Sequence, residues 1–420
     1  MDVHVVSKSD NRQHATFQIP APTEPLKPSS VRVRTSLLGL TTNNLTYALA
    51  GASLHWWDAY PVPSTAPAPY NDQSKWGIVP AWGLSTVIES TIPEIQPGTV
   101  FFGFWPTSNH AVDLQLKAVE PAGHWVDVSR ERETLMSLYN RYIVYDTKGK
   151  DIAEFAWEAA VRPIWVAGYV LSEYVFTSDP ARHPVVYPLG GTEGWTVEDA
   201  DLSKAVFVSL AASTKTGRAT AYNLFSRAAG AGPLGLLEVT SSPDSLAEAA
   251  EKLGWKIPAK ALSYEDIEQS GEWLAGIEAE RIVIADFGAR EGALDKLLDS
   301  IKGRGKHQSS QITIFRIGYE QKVYTPQDIQ SKQDSGKAAK TVLVNTSPIL
   351  ETILQLVDPK VYFEEFHLRW NQWLADRESA APDLRLVVGE GVLGANGIEG
   401  GWHALCESSV RPADALVYRM

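Results

Sequence analysis

The chain has 420 residues, 44% of them hydrophobic and 21% charged, which suffices for two cores of ordinary globular composition. A net charge of −12 without any basic block argues against nucleic acid or an anionic membrane as partner. The single cysteine, Cys406, excludes an internal disulfide and a four-cysteine zinc site, and fits a reducing, cytoplasmic setting. The opening MDVHVVSKSDNRQHATF lacks the apolar core of a secretory signal, and no run of about 18 apolar residues reads as a membrane span. Aromatic residues are abundant, with 14 Trp and 15 Tyr.

In chain order, the alternation Val31-Arg-Val33-Arg predicts a half-buried strand. Proline and alanine in Pro61–Asp72 predict an exposed loop. Residues 78–89 read as a turn and a strand, and TVFFGFW at 99–105 as an apolar strand after the Pro97-Gly98 turn. Residues 31–130 thus form a turn-rich β unit. Later the pattern changes to strands at 204–210, 234–240, 281–286 and 311–317, with helices at 216–229, 243–253 and 291–300 between them. Such alternation with short links predicts parallel βαβ units. GRGKH at 303–307 reads as a loop, and the polar stretch 320–340 as a mobile connection. The tail reads as a helix near 343–357, an aromatic helix at 361–376 and a last strand at 415–419.

A β unit followed by an α/β unit and a mixed tail resembles the medium-chain dehydrogenase/reductase superfamily, especially its zinc-independent quinone-oxidoreductase-like members. The residues that carry the resemblance are VRVRTSLLGLTTNNLTYALAG, PAWGLSTVIESTIPEIQPGTVFFGF, Asp286-Phe-Gly288 and Ile317-Gly318. Asn43-Asn44-Leu-Thr46-Tyr47-Ala48, Trp57-Asp58, Trp76-Gly77-Ile-Val-Pro80-Ala-Trp82-Gly83, Arg162-Pro163-Ile164 and Ser213-Thr-Lys215-Thr216-Gly217 are similar to a little-characterised branch known mainly as a domain of unknown function. The resemblance implies an α/β protein with a GroES-like β-rich domain at 1–165 and 340–420. A Rossmann domain with a doubly wound parallel sheet is implied at 166–340, with a cleft between the two.

Between the strand 204–210 and the next helix, Ser-Thr-Lys-Thr-Gly replaces G-x-G-x-x-G. A pyrophosphate can still rest on a helix N-terminus there. Ser213 and Thr214 supply hydroxyls, Lys215 a charge, Thr216 a cap or phosphate contact, and Gly217 an open helix start. The simpler alternative is that Thr214 or Thr216 only caps the helix. After the next strand, Ser241 and Ser242 stand where an acid would select NAD, so NADP(H) is the expected cofactor. Lys215 or Arg218 would assist a 2′-phosphate, unless Arg218 simply faces solvent. By resemblance, Tyr264 lies on the adenosine side, and Gly288 and Gly318 close the turns after the following strands; surface packing is the other reading of Tyr264.

No cysteine occupies the zinc position of the resembled family and no Gly-His-Glu occurs, so no metal is expected. Catalytic candidates are Tyr47, Asn44, Asp58 and Tyr60, with Tyr47 first as proton donor. Trp56, Trp57 and Trp82 are candidates for the wall of an apolar pocket. Core packing and turn formation are the alternative for each. The function implied is an NADPH-dependent, metal-independent reductase of a conjugated or aromatic carbonyl compound of secondary metabolism. A non-redox lyase, isomerase or C–C-bond-cleaving hydrolase with a vestigial cofactor site is the alternative, motivated by the altered turn. Partners would be an apolar or conjugated small molecule and a second copy in a homodimer.

Overall fold

The computed structural model describes residues 1–228, 230–302, 311–335 and 339–420. The chain divides into two compact units. The first contains Met1–Pro163, Gln321–Val323 and Arg385–Met420; the second contains Ile164–Glu320 and Tyr324–Leu384.

The first unit is mostly β. Its strands are β1 (Asp2–Ser7), β2 (His14–Gln18), β3 (Ser30–Leu40), β4 (Trp76–Gly77), β5 (Pro80–Ser90), β6 (Val100–Pro106), β7 (Val112–Val119), β8 (His124–Asp127) and β9 (Arg141–Tyr145). β3 is the organising element. Its first residues, Ser30–Val33, pair with β7, while β5 runs along its other side from Val31 to Leu38. Register shifts at Arg32/Val33 and Thr35/Leu37 bend it so that it serves both partners. The order β3-β5-β6-β9-β8-β7, returning to Ser30–Val33 of β3, closes a barrel and leaves the edge at Leu37–Leu40 of β3 for another strand. VFFGFWP in β6, the predicted apolar strand, is buried throughout.

The second unit carries a six-stranded parallel sheet: β10 (Ala205–Leu210), β11 (Gly235–Thr240), β12 (Ala259–Ser263), β13 (Arg281–Asp286), β14 (Gln311–Arg316) and β15 (Lys340–Leu343). The order is β12-β11-β10-β13-β14-β15, so the chain reverses direction across the sheet between β10 and β13. All six residues of β10 and of β11 are buried. Parallel central strands covered on both faces are mostly apolar, and here the buried polar exceptions are Ser209 of β10 and Glu238 and Thr240 of β11. β16 (Arg385–Glu390) and β17 (Asp414–Arg419) then extend the first unit's sheet, with β17 pairing Leu416–Arg419 against Leu37–Leu40 of β3.

Four expectations are revised. Residues 340–384 belong to the second unit, because β15 adds a sixth strand to its sheet and the helices Thr346–Leu356 and Pro359–Ala380 follow within the same unit. The connection at 320–340 holds a helix, Pro326–Asp334, capped by Thr325 and Asp328 in a reciprocal box. Asn44, for which turn formation is the alternative, lies with Asn43 in a helix, Thr42–Leu49, whose start Thr41 and Asn44 cap. The helix after β10 ends at Phe225. The predicted GRGKH loop and Ala229 lie outside the described residues. In the aromatic helix, Trp370 and Trp373 are 1% exposed and pack with Trp165, which makes this a core face.

Candidate functional site

The turn after β10 lies at the switch point of the sheet, where a doubly wound fold binds ligands beyond the strands' carboxyl ends. Ala211 adopts a left-handed φ of +58° and starts the turn without glycine. Thr214 caps the helix Lys215–Phe225, its Oγ1 accepting from the Gly217 N–H at 3.1 Å. Ser213 is buried, while Thr214, Lys215 and Thr216 are half-buried in the first turn. Gly217 has a packing task beside the one expected. A Cβ there would lie 2.6 Å from the Ala212 carbonyl oxygen, so glycine lets the helix close on the turn. The small residues and the helix N-terminus form a cradle suited to a phosphate.

Arg218 does not face solvent. It is 3% exposed, and its Nε donates to the Ser213 carbonyl at 2.9 Å. Its Nη2 donates to Asp383 at 2.9 Å, and Ser245 Oγ also donates to that carboxylate. Beneath this pair, burial pushes Glu238 of β11 up to about 8, against the pull of Arg218. Arg218 Nη1, Glu238 Oε1 and Ser209 Oγ are buried and make no hydrogen bond among the described residues. At the end of β11, Ser241 is exposed, and the Ser242 N–H donates to Thr240 Oγ1 at 3.1 Å. Both hydroxyls border the same sheet edge as the turn.

Further along that edge, Asp286 accepts the N–H groups of Gly288 at 3.0 Å and Ala289 at 2.8 Å. Gly288 has φ +107°, and a Cβ on it would meet the Tyr319 carbonyl at 2.4 Å. A Cβ on Gly318 would meet the Phe287 carbonyl at 2.5 Å. The turns after β13 and β14 therefore touch backbone to backbone. Lys332 and Arg316 face Asp286 Oδ2 at 3.7 and 3.8 Å, a grouping the sequence did not suggest. Tyr264 is half-buried with the Arg290 guanidinium 4.5 Å above its ring.

In the first unit, Tyr47, Trp56, Trp82, Phe104 and Tyr139 form one aromatic cluster. Trp82 Nε1 donates to the Tyr47 oxygen at 3.1 Å. Burial and the neighbouring Tyr139 hold the Tyr47 phenol well above the usual tyrosine range. Asn44 Oδ1 accepts from the Thr41 N–H at 2.7 Å, and its Nδ2 donates to the Pro80 carbonyl at 2.9 Å. Its amide therefore fixes the helix that carries Tyr47. Tyr60 donates to the Phe104 carbonyl at 2.6 Å. Asp58 is exposed and pairs with His55 at 2.9 Å. Trp57 is wedged between Gly51 and Gly77, whose absent side chains leave room for its indole.

Arg132 is the buried residue that sequence reasoning missed. It is 2% exposed. Its guanidinium stands 4.6 Å over the Tyr60 ring, donates to the Tyr142 hydroxyl and to the Ala59 and Tyr139 carbonyls, and faces Asp127 at 3.6 Å. Burial opposes its charge, but Tyr142, Tyr60 and Asp127 keep it protonated. A charged residue in a polar stretch reads as surface, and only the fold reveals this hub.

The fold is a GroES-like barrel and a Rossmann sheet in one chain. The chain belongs to the family described as protein of unknown function (DUF2855), which matches residues 38–411. CurA from Vibrio vulnificus is similar in structure, with a TM-score of 0.54, 12% identity and coverage of 100% of this chain and 99% of that one. CurA in complex with NADPH from the same organism gives a TM-score of 0.53 at 12% identity, with coverage of 100% and 99%. The complex of Etr1p with NADP and crotonyl-CoA gives 0.49 at 12% identity, again covering 100% and 99%. No curated protein matches the sequence significantly.

Proposed function

We propose that this protein is an NADPH-dependent, metal-independent reductase of a conjugated carbonyl compound. The observation that carries the reading is the capped helix N-terminus at the switch point, with a left-handed Ala211 and a close-packed Gly217 in place of the glycine-rich turn. The NADPH complex of CurA supports the choice of nucleotide. Ser213, Thr214, Lys215, Thr216 and Gly217 would cradle the pyrophosphate. Ser241 and Ser242 would border the adenosine ribose, with Tyr264 on that side and Gly288 and Gly318 shaping the edge toward the nicotinamide. When bound, NADPH supplies a hydride.

Tyr47 is the proton donor in this reading. Its phenol carries a proton at neutral pH, and Trp82 fixes its oxygen. Asn44 positions its helix, and Tyr60 braces β6 through the Phe104 carbonyl. Asp58 contributes charge from an exposed position. Trp56, Trp57 and Trp82 are buried, and of the three Trp82, 9% exposed, would be the first to meet a flat, apolar substrate at the edge of the cluster.

The test is a fluorescence titration with NADPH and NADH, followed by NADPH oxidation with a panel of enones and enoyl thioesters. NADPH binding and consumption are expected. Failure of both nucleotides to bind would overturn the redox reading and leave the lyase or hydrolase reading.

A further inference from the structure

Strand β11 ends in hydroxyls, yet a carboxylate reaches the same neighbourhood from a distant part of the chain. Asp383, three residues beyond the helix Pro359–Ala380, accepts from Ser245 in the first turn of the helix that follows β11. It also pairs with Arg218, in the first turn of the helix that follows β10. Asp383 therefore bridges the two turns between which a Rossmann fold holds the adenosine ribose. It is the outward member of the pair, with 27% of its side chain exposed against 2% for Arg218.

In a dinucleotide site a carboxylate selects the free ribose 2′-hydroxyl, and a nearby arginine accepts a 2′-phosphate. Here both groups are present, and the first occupies the second. Arg218 Nη1 is buried without a hydrogen bond among the described residues, so the edge of the guanidinium that a phosphate would reach is Nη2, which the partly exposed Asp383 holds while compensating its charge. We propose that Asp383 is a specificity-determining residue that restrains Arg218 and limits the preference for NADPH over NADH. The inference rests on the nucleotide-binding reading above. It differs from that reading in placing the acid after the helix Pro359–Ala380 and not at the end of β11.

The experiment compares Kd for NADPH and NADH in the wild type, Asp383→Asn and the double variant Asp383→Asn/Arg218→Gln. Asn keeps an acceptor for Ser245 and Arg218 but removes the charge. The NADPH-to-NADH affinity ratio should rise about tenfold in Asp383→Asn, the scale of one charge-assisted phosphate contact, and the gain should vanish in the double variant. A ratio removes any general loss of affinity from a loosened turn. An unchanged or lower ratio in Asp383→Asn overturns the inference, as does a gain that survives loss of Arg218. Should Asp383→Asn fail to fold, the wild type is titrated with adenosine 2′,5′-bisphosphate and 5′-AMP as competitors. A preference for the bisphosphate of about tenfold or less supports the restraint, and a larger one overturns it. If the wild type binds neither nucleotide, the nucleotide reading fails and takes this inference with it. If both bind with an unmoved ratio, only this inference fails.

Discussion

The indole N–H of Trp82 donates to the phenolic oxygen of Tyr47 across 3.1 Å, inside an aromatic cluster that leaves Tyr47 only 5% exposed. Tyr47→Phe keeps the ring and removes the oxygen. The buried Trp82 N–H then loses its acceptor, a loss of roughly 1–3 kcal/mol in stability. If Tyr47 donates the proton, turnover with an enone falls by about 10²–10⁴-fold while NADPH affinity holds. Melting curves and single-turnover kinetics separate the two effects. Full turnover in Tyr47→Phe would place the proton donor elsewhere.

Lys215→Ala should weaken NADPH binding by about ten- to a hundredfold through loss of one charge-assisted phosphate contact. Fluorescence titration measures it, and unchanged affinity with the fold intact would direct the lysine away from the nucleotide.

Gly217→Val and Ala211→Gly should move stability in opposite directions. Valine at 217 meets the Ala212 carbonyl 2.6 Å from its Cβ, and forcing the helix away costs roughly 1–3 kcal/mol. Ala211 already holds a left-handed φ of +58°, so glycine relieves about 1 kcal/mol of strain, partly offset by its greater freedom when unfolded. Chemical denaturation of both variants checks the signs. A stable Gly217→Val would mean that the turn yields easily.

Glu238 makes stability depend on pH. Its folded pKa of about 8 exceeds the ordinary 4.5, so the folded state holds a proton that the unfolded state has released. Stability is therefore highest below pH 4.5 as far as this group is concerned, falls between 4.5 and about 8, and is flat above. His183 adds a slope of the same sign above pH 6.5: burial lowers its pKa, but Glu173 and Glu365 outweigh that and raise it. Glu238→Gln should remove the part of the decline that Glu238 causes and be more stable than the wild type at pH 8. Melting temperatures from pH 5 to 9 test this, and parallel curves for the two proteins would contradict it.

Arg132→Met should be costly. It leaves Asp127, whose side chain is fully buried, without its counter-charge. Breaking one partner of a buried pair costs roughly 3–5 kcal/mol. Equilibrium unfolding should show the loss, and Arg132→Met/Asp127→Asn should recover part of it. A near-neutral single variant would show that the hub is dispensable.

What the sequence made legible follows from the strength of local signals. AVFVSL and RIVIAD are dominated by apolar, mostly β-branched residues and bounded by turns, and both are strands with the expected limits to within a residue. The helix Pro326–Asp334 has no apolar periodicity, since PQDIQSKQD contains a single aliphatic residue, and its stability comes from a cap and a first-turn proline. The helix Thr42–Leu49 was hidden because Asn43-Asn44 favours turns in isolation. The partners at the site were hardest to see. Asp383 and Arg218 lie far apart in the chain, and Arg132 gathers groups from three surrounding segments. No local pattern encodes such pairings.

The pairing of β17 with β3 has a consequence for synthesis. β3 leaves the ribosome long before β17. Until β17 emerges, Leu37–Leu40 present an open apolar strand edge, while the six described strands of the parallel sheet have already emerged. The second unit can thus complete its sheet on the nascent chain, whereas the first must wait for β17. A chain stopped at Leu384 would keep that edge open, and such an edge invites pairing with another chain. The barrel unit should therefore be the part that depends on chaperones, and the last to acquire protection against proteases during translation.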